Sequence, residues 1–218
     1  MATVVDEALR YLGAAGAGGQ LRQDMAELAE MVGRTCAPRH VYREAAVRRK
    51  AEGVWLEEAG LLLTGHTAAV MLESSDRAAV LVCTLGARFD ALLRQWQARD
   101  MARAVMLDAC GSAWVEAGCD AAEETIRAAH PGLYLTDRFS PGYGDLPLGL
   151  QPGLLAFTDA GRRLGVTASG SLLMNPVKTV TAVIGLSGTM QRARIRGCEG
   201  CMMKARCALR KRGDSCGT

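Results

Sequence analysis

DRFSPGYGDLPLGLQ, residues 137–151, sets two prolines, an arginine, a tyrosine and three glycines into fifteen positions that follow neither a helical nor a strand period. Pro141-Gly142 suits the centre of a type II turn. Its second central residue needs the positive φ that glycine adopts freely, and a missing Cβ lets backbone approach a ligand closely. Arg138, just before the turn, offers a planar fork for a carboxylate, and Tyr143, just after it, offers a ring with a hydroxyl. Residue types alone leave two readings open: a rigid clamp for an anion and a ring, and an ordinary surface turn beside a strand-end arginine.

Working outward, LYLTDR leads into the turn as a short strand. Behind it runs the longest helical signal in the chain, with Phe89, Leu92, Leu93 and Trp96 on one stripe. After a break near Asp100, the stripe resumes through Met101, Val105, Ala109 and Ala113. Pro131 and Gly132 end it near Ala129. AAVLVCTLG, before this helix, and VKTVTAVIGLS, far downstream, are β-branched apolar runs that predict buried strands. A helix opening at Pro152 and closing at Gly165 is expected between the turn and the last strand. Two amphipathic helices, joined by the loop AAGAGGQ, begin the chain. Residues 41–63 give a mixed pattern with one strand expected near VWLEEAGLLLTG. Strands alternate irregularly with helices, so the pattern predicts an α+β fold with a mixed, largely antiparallel sheet and flanking helices, as one unit over residues 1–189.

The chain has 218 residues, 49% of them hydrophobic, enough for one sizeable core. With neither a leader pattern nor a long uncharged apolar run, it reads as a soluble, cytoplasmic protein with no membrane partner. Net charge is +3, and from Met190 onward eight Lys or Arg face Glu199 and Asp214, a net +6 that leaves −3 for residues 1–189. Four of the eight cysteines, Cys198, Cys201, Cys207 and Cys216, crowd into this basic tail, residues 190–218. A reducing compartment makes disulfides improbable, basic neighbours favour thiolates, and C-x2-C-x5-C-x8-C points to a metal site. The spacing fits neither a paired zinc ribbon nor a compact ferredoxin run, so zinc and an iron-sulfur cluster both stay open, beside a redox dithiol and a plain basic tail. No aromatic residue interrupts the tail to stack bases, so nucleic acid is not an expected partner.

Two further groups bear on chemistry. Asp108, Ser112 and Glu116 fall at i, i+4 and i+8 on one helix face, which spaces the two carboxylates about 12 Å apart along the axis. That excludes the carboxylate pair of a glycosidase and leaves both a cation- or hydroxyl-binding role and a solvated helix face. His40, His66 and His130 have no ligand-spaced neighbours, and no serine or cysteine sits in a nucleophile elbow.

At this point the residues resemble a known family. Arg138-Phe-Ser-Pro-Gly142-Tyr143, followed by Gly-Asp-Leu-Pro-Leu, resembles the Arg-x-x-Pro-Gly-Tyr signature of the activation domain of cobalamin-dependent methionine synthase. Met174-Asn-Pro176-Val-Lys-Thr-Val180-Thr resembles its Met-x-Pro-x-x-Ser-Val-Ser segment. LVCTLGARFDALLR and DACGSAWVEAG look like the stand-alone form of that domain, and the likeness spans residues 61–186. The resemblance implies an α+β unit in which Arg138, Ser140, Gly142 and Tyr143 contact S-adenosylmethionine, with Glu116 and Ser112 on the facing helix. It implies a role in the reductive methylation of a corrinoid held by a partner such as the methionine synthase core, which needs an electron donor; the four-cysteine spacing, apart from the resemblance, makes a tail-bound iron-sulfur cluster a candidate for that donor. The chain departs from the family in three places. Ser112 stands where the domain has a ligand-binding glutamate, Ile184 where it has a ligand tyrosine, and the acidic N-terminal segment has no clear counterpart. No D-x-H-x-x-G sequence is present to ligate cobalt, so the corrinoid is expected on the partner. The alternative from another class is a non-catalytic binding module whose zinc-stapled basic tail contacts a protein or nucleic acid.

Overall fold

The structure, a computed structural model, describes residues 2–190 and Lys211. The predicted four-cysteine site therefore lies outside the described residues. Six strands form one sheet: β1 (Arg39–Lys50), β2 (Gly53–Leu56), β3 (Leu61–Leu63), β4 (Arg77–Thr84), β5 (Tyr134–Leu135) and β8 (Thr179–Ser187). Their spatial order is β3-β2-β1-β4-β8-β5, every neighbouring pair is antiparallel, and β6 (Thr167–Ala168) pairs with β7 (Met174–Asn175) apart from it. This is the α+β architecture that the alternation of elements predicts.

Period-two alternation along β4 divides the core. Ala79, Leu81 and Cys83 pack on one face with α1 (Ala2–Tyr11), α2 (Gly19–Thr35), α4 (Ala87–Gln97) and α5 (Met101–Ala129). Ala78, Val80 and Val82 face the other side, toward α3 (His66–Met71), α6 (Gln151–Phe157) and α7 (Ala160–Leu164). The 29-residue α5 lies close against the sheet: a Cβ on Gly118 would sit 2.8 Å from the Cys83 Sγ and 2.5 Å from the Pro38 Cβ. Asp100 caps this helix, accepting from the Arg103 N–H at 3.0 Å, which accounts for the break expected there.

Cys36, Cys83, Cys110 and Cys119 are buried free thiols of this core. Burial pushes the Cys110 thiol up to about 12. A hydrogen bond with Cys83, and then burial, raise Cys119 as well, so these groups pack rather than react.

Three stretches differ from expectation, and the first is VWLEEAGLLLTG, where the one strand expected is two, β2 and β3, paired antiparallel. YREAAVRRK belongs to a twelve-residue strand, β1, despite its charges. Val41, Ala45 and Val47 bury its apolar positions, while three of its four arginines reach helix ends and Arg48 pairs with Glu57. Arg39 donates to the Leu164 carbonyl at 3.1 Å, Arg43 to the Phe157 carbonyl at 2.8 Å and Arg49 to the Leu72 carbonyl at 3.2 Å. These are the terminal carbonyls of α7, α6 and α3, where a cation is favoured. The single helix expected from Pro152 to Gly165 is two, because the Thr158 hydroxyl donates back to the Leu154 carbonyl at 2.9 Å and Asp159 turns left-handed at φ 56°.

Candidate functional site

The site is built on a flaw in the sheet edge. Leu135 pairs with Leu186 and Phe139 bridges Val183, so four steps along the incoming strand match three along β8. The extra residue is a β-bulge at Asp137-Arg138 opposite Ile184, the kind of irregularity that re-aims a side chain. Phe139 then points to the α3/α6 face and is buried there with Val183. Arg138, its neighbour, points the other way, onto α5.

There the guanidinium is 8% exposed and meets three carboxylates: Glu116 at 2.5 Å, Asp120 at 2.7 Å and Glu123. Burial works to lower the Arg138 pKa, and the three carboxylate bonds more than reverse that, holding it above the usual arginine range. One turn along, the Lys178 ammonium donates to Asp108 at 2.9 Å and to the Ser112 hydroxyl at 2.8 Å. Asp108, Ser112, Glu116, Asp120 and Glu123 occupy one face of α5. Two cations from two distant segments, Arg138 beside the Pro-Gly turn and Lys178 two residues after Pro176, thus converge on it.

The turn has the predicted form. Tyr143 N–H donates to the Ser140 carbonyl at 3.0 Å, and Gly142 lies at φ 86°, the pattern of type II. Gly142 N–H then closes on the Leu146 carbonyl at 2.8 Å. Asp145 ties the loop to α3, accepting from the backbone N–H groups of His66 at 2.5 Å and Thr67 at 2.9 Å. The Thr67 hydroxyl, and then those two amides, hold the Asp145 carboxyl down at about 2.

A carboxyl with a depressed folded pKa contributes stability that is complete above its unfolded value, near 4, and is lost as pH falls toward 2. The melting-temperature difference between the wild type and Asp145→Asn is therefore expected to be full at pH 5 and to close between pH 4 and pH 2. A difference that persists unchanged at pH 2 would show that the ionised tie does not hold the loop.

Of the sequence-predicted site residues, Arg138 and Glu116 touch, and Ser112 lies one turn from Glu116 on the same face. Ser140 and Gly142 form the turn, and Tyr143 stands half exposed beside it. Arg138 is not the open fork that its residue type suggests, because α5 already fills it. Asp120 and Glu123 were legible as continuations of the acidic stripe from Glu116 at i+4 and i+7. Lys178 carried no signal of its own. Among the described residues, cavities of about 500 Å³ along α2 and about 320 Å³ between the β1–β2 hairpin and α3 lie away from this cluster. The first is a groove along the wet side of one helix. The convergence of buried-stem cations on α5 is the stronger mark of a site.

No described helix is long and apolar enough to cross a membrane. No family model and no curated protein sequence matches the chain. A solved structure does: the crystal structure of the MetH reactivation domain bound to AdoHcy matches with a TM-score of 0.65 at 16% identity, over 99% of this chain and 83% of that one. The bulged edge, the Pro-Gly turn and the polar face of α5 therefore sit on the fold of a reactivation domain.

Proposed function

We propose that this chain binds S-adenosylmethionine between the 138–143 turn and the polar face of α5, and that it supports the reductive methylation of a corrinoid carried by a partner methyltransferase of the methionine synthase type. The observation that carries this is the bulge that delivers Arg138 to Glu116 beside the Pro-Gly turn. It stands on the fold of a domain whose solved structure holds AdoHcy.

The amino-acid end of the ligand carries a carboxylate and an ammonium. The Asp120 side chain, 63% exposed, is the cheapest of the three carboxylates to return to water. A ligand carboxylate replacing it on Arg138 exchanges like for like, and Glu116 accepts the ammonium. Gly142 lets the ligand approach the turn without a Cβ in the way, and Tyr143 covers it from solvent. When bound, the ligand supplies the methyl sulfonium. The chain's own work is to orient that group and exclude water. The corrinoid belongs to the partner, and the electron comes from a donor that the four-cysteine tail would provide if it holds an iron-sulfur cluster. Iron and sulfide in anaerobically purified protein, with absorbance near 400 nm, is the expected signature of that arm; zinc in colourless protein would replace it.

Titration calorimetry tests the binding. Wild type should give saturable heat with S-adenosylmethionine, and Tyr143→Ala, an exposed position that leaves the core intact, should weaken affinity by about tenfold, the loss of about 1.4 kcal/mol. Silence at millimolar ligand, or equal affinity in the variant, would remove the assignment. One observation favours a second reading: a guanidinium with three carboxylate partners is also a structural staple. In that case the chain is a binding module that keeps the fold without the ligand, and calorimetry separates the two.

A further inference from the structure

We infer that the second half of α5 is a docking surface for the chain's own basic tail, with the run Arg192-Ala-Arg194-Ile-Arg196 extended along it and its three arginines on Glu124, Asp120 and Glu116. The pairing needs no bound ligand.

Where the chain leaves the fold decides which surface the tail meets first. Lys178, just before β8, meets Asp108 and Ser112, and Arg138, opposite Ile184, meets Glu116 and Glu123, so β8 and α5 run in the same direction. Ser187, three residues past Ile184 and about 10 Å further along, is therefore level with the last turns of α5. It pairs with Tyr134, whose neighbour Leu135 packs in the α5 layer. There the strand ends. The Thr189 N–H donates to the Ser187 hydroxyl at 3.1 Å, a turn closed by a side chain, and Gly188, Thr189 and Met190 are exposed. The tail thus sets out from the C-terminal end of α5.

From that end an acidic stripe runs back along the helix. Between Ala104 and Ile126, α5 carries Asp108, Glu116, Asp120, Glu123 and Glu124 and no Lys or Arg. Glu124, Asp120 and Glu116 recur every four residues, about 6 Å apart along one ridge. Their side chains are 73%, 63% and 36% exposed. Glu124 pairs with Arg127 and the other two share Arg138, but a carboxylate accepts up to about four bonds, so these pairings do not exclude a further arginine from the solvent side.

In the tail, arginines recur at every second position, which in an extended chain sets them about 6.6 Å apart on one side. The two spacings match over three positions, and no acidic residue of the tail precedes Glu199. Net charge agrees, at +6 for the tail against −3 for residues 1–189. Arg192 falls on Glu124, Arg194 on Asp120 and Arg196 on Glu116. Cys198, two residues on, then lies alongside the α5 turn between Glu116 and Ser112, at the edge of the candidate site.

Limited trypsin cleavage of the full chain, read by mass spectrometry, tests the docking, because an arginine held by a carboxylate is closed to the protease. A synthetic peptide of residues 188–200 gives the rate of each bond when undocked. At about 50 mM salt, the bonds after Arg192, Arg194 and Arg196 should be cut about tenfold more slowly in the protein than in the peptide, the effect of three exposed ion pairs. About 0.5 M salt should bring the two rates together. Asp120→Asn/Glu124→Gln should speed cleavage about fivefold while melting within about 4 °C of wild type. Glu124→Gln alone should speed the cut after Arg192 more than the cut after Arg196, since the tail meets Glu124 first. Equal rates in protein and peptide at low salt, a slow rate that neither salt nor the double variant changes, or a Glu124→Gln effect not centred on Arg192 would overturn the docking. Protection that fades on dilution of the protein would also overturn it, by assigning the tail to a second copy.

Discussion

Replacing Arg138 with methionine is expected to destabilise the protein by about 3 kcal/mol, the low end of the range for removing one partner of a buried ion pair. For a chain of this size that is a fall of about 6–12 °C in melting temperature. The low end applies because the three carboxylates differ in their access to water. Asp120 and Glu116 are 63% and 36% exposed and recover hydration when the guanidinium leaves. Glu123, 16% exposed, is the charge that is stranded. Neutralising it should therefore give back part of the loss: Arg138→Met/Glu123→Gln should be more stable than the sum of the single changes predicts, with a coupling of about 1–3 kcal/mol. Asp120→Asn alone should cost less than about 1 kcal/mol, as exposed pairs do. Denaturant melts of the four proteins check the scheme. Equal losses for Asp120→Asn and Arg138→Met, with no coupling to Glu123, would mean that the guanidinium is not the hub of this cluster.

The same cluster marks how far the sequence could be read. Its turn was legible because Pro141-Gly142 fixes backbone geometry locally, and α5 was legible because its apolar stripe repeats at helical spacing over many residues. The destination of Arg138 was not. A bulge is a register difference between two strands nearly fifty residues apart, and no window of sequence contains both. Lys178 was hidden for the same reason, since its partners Asp108 and Ser112 lie on an element that precedes it by more than sixty residues. β1 failed differently. Its charges leave residues 41–50 with a mixed pattern, whereas the fold gives three of its arginines helix-terminal carbonyls to bind, so a charged stretch coincides with a central strand. The split between α6 and α7 turned on the Thr158 hydroxyl competing for backbone carbonyls, a local effect weaker than the apolar periodicity that spans the break.

Phe139→Ala is expected to be the more damaging change, at about 3–5 kcal/mol, because it empties a fully buried aromatic position. Phe139 is 1% exposed and shares a core with Leu154, Val183 and Leu146, the residue whose carbonyl accepts from the Gly142 N–H of the turn. Its loss removes the floor on which that turn rests, so the affinity of any ligand held at residues 138–143 should fall with stability, although the ring lies on the opposite face of the sheet from Arg138. Phe89→Ala supplies the comparison. That ring is also fully buried but packs with α5 in the other core layer, so a similar stability loss should come with a smaller change in affinity. Phe139→Leu, which restores most of the volume, should recover most of both quantities. Melting curves and calorimetry on the three variants, taken where each is still fully folded, decide the matter: equal affinity losses in Phe139→Ala and Phe89→Ala would mean that the turn is held by its own hydrogen bonds and not by the ring beneath it.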